Sequence, residues 1–143
     1  MMPAPADHVT PGSMSLLADV AAVLANHPAV RLAILYGSAA RGAAKPESDL
    51  DLAVMGLRPL ATDEILTLVE ALAQATGRPI DLLDLRRTHG TLLGEVLRTG
   101  LRVVETDPAL YPALLSRHAL DEADFGPYRD RILAARRRAW IGA

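Results

Sequence analysis

Apolar residues along the chain alternate between short unbroken runs and stretches with three- and four-residue spacing. Leu16, Leu17, Val20, Val23 and Leu24 recur at helical spacing behind Ser15, a good N-cap residue, and Pro28 marks where that helix must have ended. Val30 to Tyr36 is apolar except for Arg31 and reads as a buried strand. The small residues after Ser38 suit a short helix. Leu50 to Met55 then reads as a second strand, with Leu50, Leu52 and Val54 on one face. Thr62 opens a longer helix, with Asp63 and Glu64 in its first turn, where the helix dipole favours negative charge. Ile65, Leu66, Val69 and Leu72 form its apolar face and Gly77 closes it. Arg78 to Leu85 predicts a third strand, Thr88 to Thr99 a helix closed by Gly100, and Leu101 to Glu105 a fourth strand. Helix and strand therefore alternate from Leu16 to Glu105, with no internal repeat.

Both termini depart from that alternation. Residues 1–14 hold three prolines and no period, which predicts a disordered N-terminus. Asp107-Pro108 is an N-cap followed by a proline at the first helical position, and Ala109, Leu110, Ala113, Leu114 and Leu115 continue the pattern. Phe125-Gly126-Pro127 should interrupt this segment, with a last helix from Tyr128 to Trp140 in which Ile132, Leu133 and Trp140 sit among Arg129, Arg131, Arg136, Arg137 and Arg138. That amphipathic, basic helix either folds back on the domain with its charges in water or docks a partner, because Trp and Arg are enriched in interface hot spots. The expected organisation is a disordered segment over 1–14, a catalytic domain over 15–106 and a helical tail over 107–143 open to either role.

Composition narrows the function classes. A chain of 143 residues, 50% apolar, is long enough for one domain and an added element, and with one Phe, one Trp and three Tyr its core must be built from Leu, Val, Ile and Ala. No uncharged apolar run approaches the roughly 18 residues of a membrane span, and the start lacks a charged-then-apolar signal pattern, so a cytoplasmic protein without membrane association is expected. Cysteine is absent, which excludes disulfides and thiolate metal sites. A net charge of −2 argues against strong direct binding to nucleic acid, and His8, His27, His89 and His118 lack metal-ligand spacing.

The candidate chemistry lies between the first two strands. Gly37 breaks the first strand where backbone can approach a ligand closely, and the Ser38 hydroxyl adds a donor to the free N–H groups of a helix start, so the turn can hold phosphate without a lysine. Seven residues after Gly42 come Asp49 and Asp51, whose spacing sends both carboxylates to one strand face, roughly 6 to 7 Å apart. Two converging carboxylates repel unless a cation lies between them, and hard oxygen ligands beside substrate phosphates suit Mg²⁺. A bare Asp-x-Asp is common by chance; next to a Gly-Ser turn it is specific.

At these residues, Gly37-Ser38-Ala39-Ala40-Arg41-Gly42 and Ser48-Asp49-Leu50-Asp51-Leu52, the chain resembles the minimal nucleotidyltransferases of the DNA polymerase beta-like superfamily. The resemblance runs from about Leu16 to Glu105; Ala39 stands where many relatives carry an arginine, while Arg41 remains. It implies an α+β fold with a small mixed β-sheet, and a third carboxylate on a later strand. Asp81 and Asp84 differ by three positions, so at most one can join the site, and Asp81 fits the family's position better. By this resemblance Gly37, Ser38 and Arg41 hold ATP, Asp49, Asp51 and Asp81 hold Mg²⁺ and carry the catalysis, and Asp81 also serves as general base. Asp84 is left as a solvated strand end or a helix cap.

The small stand-alone members it looks most like are antitoxins paired with an HEPN-domain ribonuclease toxin, in which the transferase adds AMP to a tyrosine of the toxin and silences it. The helical tail is too small for an acceptor domain, so the resemblance implies an acceptor brought by another protein. Two other readings stay open: an antitoxin that acts by binding alone, and a transferase for a small-molecule hydroxyl.

Overall fold

A computed structural model describes residues 11–42 and 48–141. The elements in chain order are α1 (Pro11–Ala25), β1 (Leu32–Tyr36), α2 (Gly37–Ala40), β2 (Leu50–Met55), α3 (Thr62–Thr76), β3 (Ile80–Asp84), α4 (Gly90–Thr99), β4 (Leu101–Glu105) and α5 (Leu110–Ile141). The strands form one four-stranded sheet in the order β3-β2-β1-β4. β1 lies antiparallel to both β2 and β4, whereas β2 and β3 run parallel, so the sheet is mixed as expected. The parallel pair is possible because α3 supplies the crossover between its strands.

Strand periodicity divides the core in two. Ala33, Leu35, Leu50, Leu52 and Val54 face one way and meet Val20 and Leu24 of α1 with Leu68 and Leu72 of α3. Leu32, Ile34, Tyr36, Ala53 and Met55 face the other way and meet Leu93 and Val96 of α4 with Leu110 and Leu114 of α5. β1 and β2 are thus covered on both faces, which is why they read as nearly continuous apolar runs. Local chemistry sets the ends of α3: Glu64 Oε1 accepts the Ala61 N–H at 2.9 Å, and Gly77 takes a left-handed φ of 68° while donating to Ala73 O.

Three boundaries differ from the sequence expectation. α1 begins at Pro11 rather than Ser15, since proline fits a first turn whose N–H groups have no intrahelical acceptor; residues 1–10 of the expected disordered segment lie outside the described residues. α4 begins at Gly90, because Thr88 is buried and its hydroxyl donates to Asp84 O at 2.8 Å, shaping the connection before the helix. α5 is one helix of 32 residues, with no break at Phe125-Gly126-Pro127. Proline deletes one intrahelical bond without by itself ending a helix, and Ala119, Leu120, Glu122 and Ala123 before it, with Ala134 and Ala135 after it, are all helix-compatible.

α5 is tied down at its start. Leu110 and Leu114 are buried, Arg102 stacks over the Tyr111 ring at 4.2 Å, and Arg117 Nη2 donates to the carbonyls of Leu85 at 2.9 Å and Thr88 at 2.6 Å.

Candidate active site

The sheet register brings together residues that the sequence separates by 30 positions. Tyr36, at the end of β1, stands opposite Asp51 on β2, and Asp51 stands opposite Asp81 on the parallel strand β3. Gly37 turns the chain straight into α2 with φ of 71°, a conformation that favours glycine. Its backbone packs so closely on Asp51 that a Cβ there would overlap the carboxylate and stand 3.2 Å from Asp51 Cγ. The Gly-Ser turn and the central carboxylate are therefore in direct contact, and glycine is required for both the φ and the approach.

α2 is a single turn. It ends at Arg41, whose N–H donates to Gly37 O at 3.3 Å, followed by the Gly42 N–H donating to Ala39 O at 3.2 Å. Ala39 is buried against the strands, Ser38 is half-buried, and Arg41 projects into solvent at the rim. Asp49 precedes β2 and is exposed, Asp51 is half-buried, and Asp81 is exposed.

The electrostatics follow from this crowding. Burial first, then the negative charges of Asp81 and Asp49, a hydrogen bond shared with Asp81, and the charge of Glu95 push the Asp51 carboxyl above its ordinary pKa. Two carboxyl groups placed this close disfavour double ionisation unless a cation lies between them. Burial, then Asp81, Asp51 and Glu95, likewise push the Tyr36 phenol far up, leaving it neutral. Among the described residues, no group of three or more His, Asp and Glu is drawn close enough to hold a metal as it stands. The donor chemistry nevertheless fits a hard divalent cation, because oxygen ligands that repel one another are what such an ion relieves.

Asp84 has another role. It is buried on the opposite side of β3, where Oδ2 accepts the Leu60 N–H at 2.9 Å and Oδ1 accepts the Arg86 N–H at 3.0 Å. Arg86 Nε in turn donates to Gly56 O at 2.7 Å. Asp84 is therefore neither a solvated strand end nor a cap on α4. It joins the connection after β2 to the connection after β3, a role that no local pattern signals.

Sequence reasoning also missed Tyr36 and Glu95. Tyr36 could have been found, since strand alternation places it on the face opposite Leu35. Glu95 could not, because only the packing of α4 against β1 brings it near the carboxylates.

Residues 18–109 match the family model described as polymerase beta, nucleotidyltransferase. The protein adenylyltransferase MntA of Shewanella oneidensis is 33% identical over 75 residues, covering 52% of this chain and 54% of that protein, so the chain spans about half the length of the curated relative it matches. A chain of a toxin-antitoxin crystal structure with AMP-PNP superposes with a TM-score of 0.67 at 24% identity, over 82% of this chain and 98% of the other. A chain from a structure of the tri-AMPylated Shewanella oneidensis HEPN toxin with its MNT antitoxin gives 0.65 at 22% identity, over 85% and 98%. At these identities the structural likeness concerns the fold.

Proposed function

The chain belongs to the polymerase beta nucleotidyltransferase family, and from that premise we propose that it is an antitoxin that transfers AMP from ATP to a tyrosine hydroxyl of a partner HEPN-domain ribonuclease toxin, in the cytoplasm. The observation that carries this reading is the Asp51–Asp81 register beside Gly37, which sets the paired carboxylates against the Gly-Ser turn. Its relatives support the choice of acceptor: one is named a protein adenylyltransferase, and another structure contains an AMPylated HEPN toxin. Among the described residues no helix is long and apolar enough to cross a membrane.

In this reading Gly37 and Ser38 hold the triphosphate through backbone N–H and hydroxyl groups, and Arg41 adds positive charge from the rim. Asp49, Asp51 and Asp81 would hold Mg²⁺, which when bound neutralises phosphate charge and polarises the α-phosphorus. The tyrosine oxygen attacks that phosphorus, the bond to the β-phosphate breaks and pyrophosphate leaves. Asp81, exposed at the edge of the carboxylate pair, accepts the phenolic proton. An unperturbed tyrosine has a pKa near about 10, so the acceptor arrives protonated and needs both this base and accurate placement. The tail from Tyr128 onward serves that placement by docking the partner.

The test is incorporation of α-labelled ATP into the co-expressed HEPN partner. Label on a partner tyrosine, dependent on Mg²⁺ and absent with Asp51→Asn, is the expected result. Neutralisation of the toxin without label would replace this reading with antitoxin action by binding alone. Trp140→Ala should lower partner labelling by on the order of 2 kcal/mol if Trp140 is an interface anchor, leaving ATP affinity unchanged.

A further inference from the structure

A groove of about 630 Å³ runs between α4 and α5, lined by Gly94, Glu95, Arg98, Leu115, His118 and Glu122 among others. Residue 94 is glycine, which lets the His118 ring of α5 pack closely on α4: Nε2 would stand 3.1 Å from a Cβ there. Leu115 on its wall is exposed. Glu95 belongs both to this groove and to the electrostatic field of the site, since its charge acts on Asp51 and Tyr36. α4 packs against α2 and β1, the elements that carry the Gly-Ser turn and Tyr36, so Glu95 is where the groove meets the electrostatic field of the site.

The occupant follows from charge. A triphosphate is repelled by Glu95 and has its own seat at the Gly-Ser turn, so the groove suits the other reactant. Arg98 lies one helical turn farther along α4, and of the charged groups lining the groove only Glu95 acts on Asp51 and Tyr36. We propose that the α4–α5 groove seats the acceptor segment of the partner protein, and that Glu95 selects a segment in which the residues flanking the acceptor tyrosine are Lys or Arg. The inference rests on the transfer reaction proposed above and makes Glu95 a specificity-determining residue. Its carboxylate pairs with the flanking cation, Leu115 packs against the aliphatic part of the segment, and the tyrosine is left facing Asp81.

The experiment uses the full chain with two fluorescent tyrosine peptides, one flanked by Lys and Arg and one by Glu and Asp. Binding is measured with Mg²⁺ and AMP-PNP present, and transfer is measured separately with α-labelled ATP. The basic peptide should bind preferentially; Glu95→Gln should weaken it about fivefold, Glu95→Asp should restore much of the loss, and Glu95→Lys should reverse the preference. AMP-PNP affinity should stay unchanged in all three variants. A preference that survives Glu95→Lys, no binding of either peptide, or a change in AMP-PNP affinity that matches the peptide effect would overturn the inference. Binding that follows residue 95 with no labelled tyrosine would uphold the groove and remove the transfer reading. Equal labelling of both peptides by wild type and Glu95→Lys would do the reverse.

Discussion

The two faces of the sheet are made from the same strands and bury similar aliphatic side chains, yet they treat acidic residues in opposite ways. On the face covered by α1 and α3, Asp84 is buried and its two oxygens take the backbone N–H groups of Leu60 and Arg86. On the face covered by α4 and α5, Asp51 and Asp81 stand side by side in register at the start of their strands, and the charges that act on Asp51 are those of Asp81, Asp49 and Glu95. A carboxylate saturated by backbone donors fastens loops together, whereas carboxylates set against carboxylates hold unspent negative charge for a cation.

The largest expected effect tests that division through activity. Asp51→Asn and Asp81→Ala should each lower AMP transfer by at least about a hundredfold, the scale of losing a positioned charge or base, with circular dichroism and melting cooperativity retained. Near wild-type labelling by either variant would remove that carboxylate from the site. Asp84→Ala should do the opposite, lowering unfolding free energy by about 2–4 kcal/mol, because the buried Leu60 N–H and the part-buried Arg86 N–H lose their acceptor, while the folded fraction keeps its turnover. Denaturant titration alongside a turnover assay separates the two quantities, and a stable but inactive Asp84→Ala would erase the contrast between the faces.

Gly37→Ala probes where the turn meets the carboxylate. A Cβ would displace Asp51 and force a left-handed alanine, the latter alone costing roughly 1–2 kcal/mol. Activity should fall further than stability, seen as transfer lost at temperatures well below the variant's own melting point. A proportionate loss of both would make Gly37 a folding residue only.

The smallest effect concerns pH. Because burial and neighbouring carboxylates raise the Asp51 pKa, its ionisation opposes folding of the metal-free protein. The favourable contribution is complete below the ordinary carboxylate pKa and is lost as pH rises through the raised value. Metal-free Asp51→Asn should therefore melt above wild type at about pH 7, with the difference shrinking toward about pH 4. Saturating Mg²⁺ should favour wild type instead. An Asp51→Asn protein less stable than wild type without metal would show that the carboxylate pair is structural.

Much of this protein was determined locally. The helix-strand alternation, the Gly77 cap, the placement of Leu50, Leu52 and Val54 away from Asp51, and the opposite facing of Asp81 and Asp84 all follow from periodicity and side-chain chemistry within a few residues. Long-range pairing decided the rest. The order β3-β2-β1-β4 and the Asp51–Asp81 register depend on which strands meet, and no local pattern holds that information. The same is true of Asp84, whose partner Leu60 lies in a connection brought to it only when β2 and β3 align, and of Glu95, which comes near the site only through the packing of α4. The unbroken α5 completes the set, since the residues around Pro127 weigh one lost hydrogen bond against a helix already anchored at Leu110, Leu114 and Arg117. Local sequence sets what each segment is; the burial of one segment against another sets where its charged groups end up, and hence which of them are free to do chemistry.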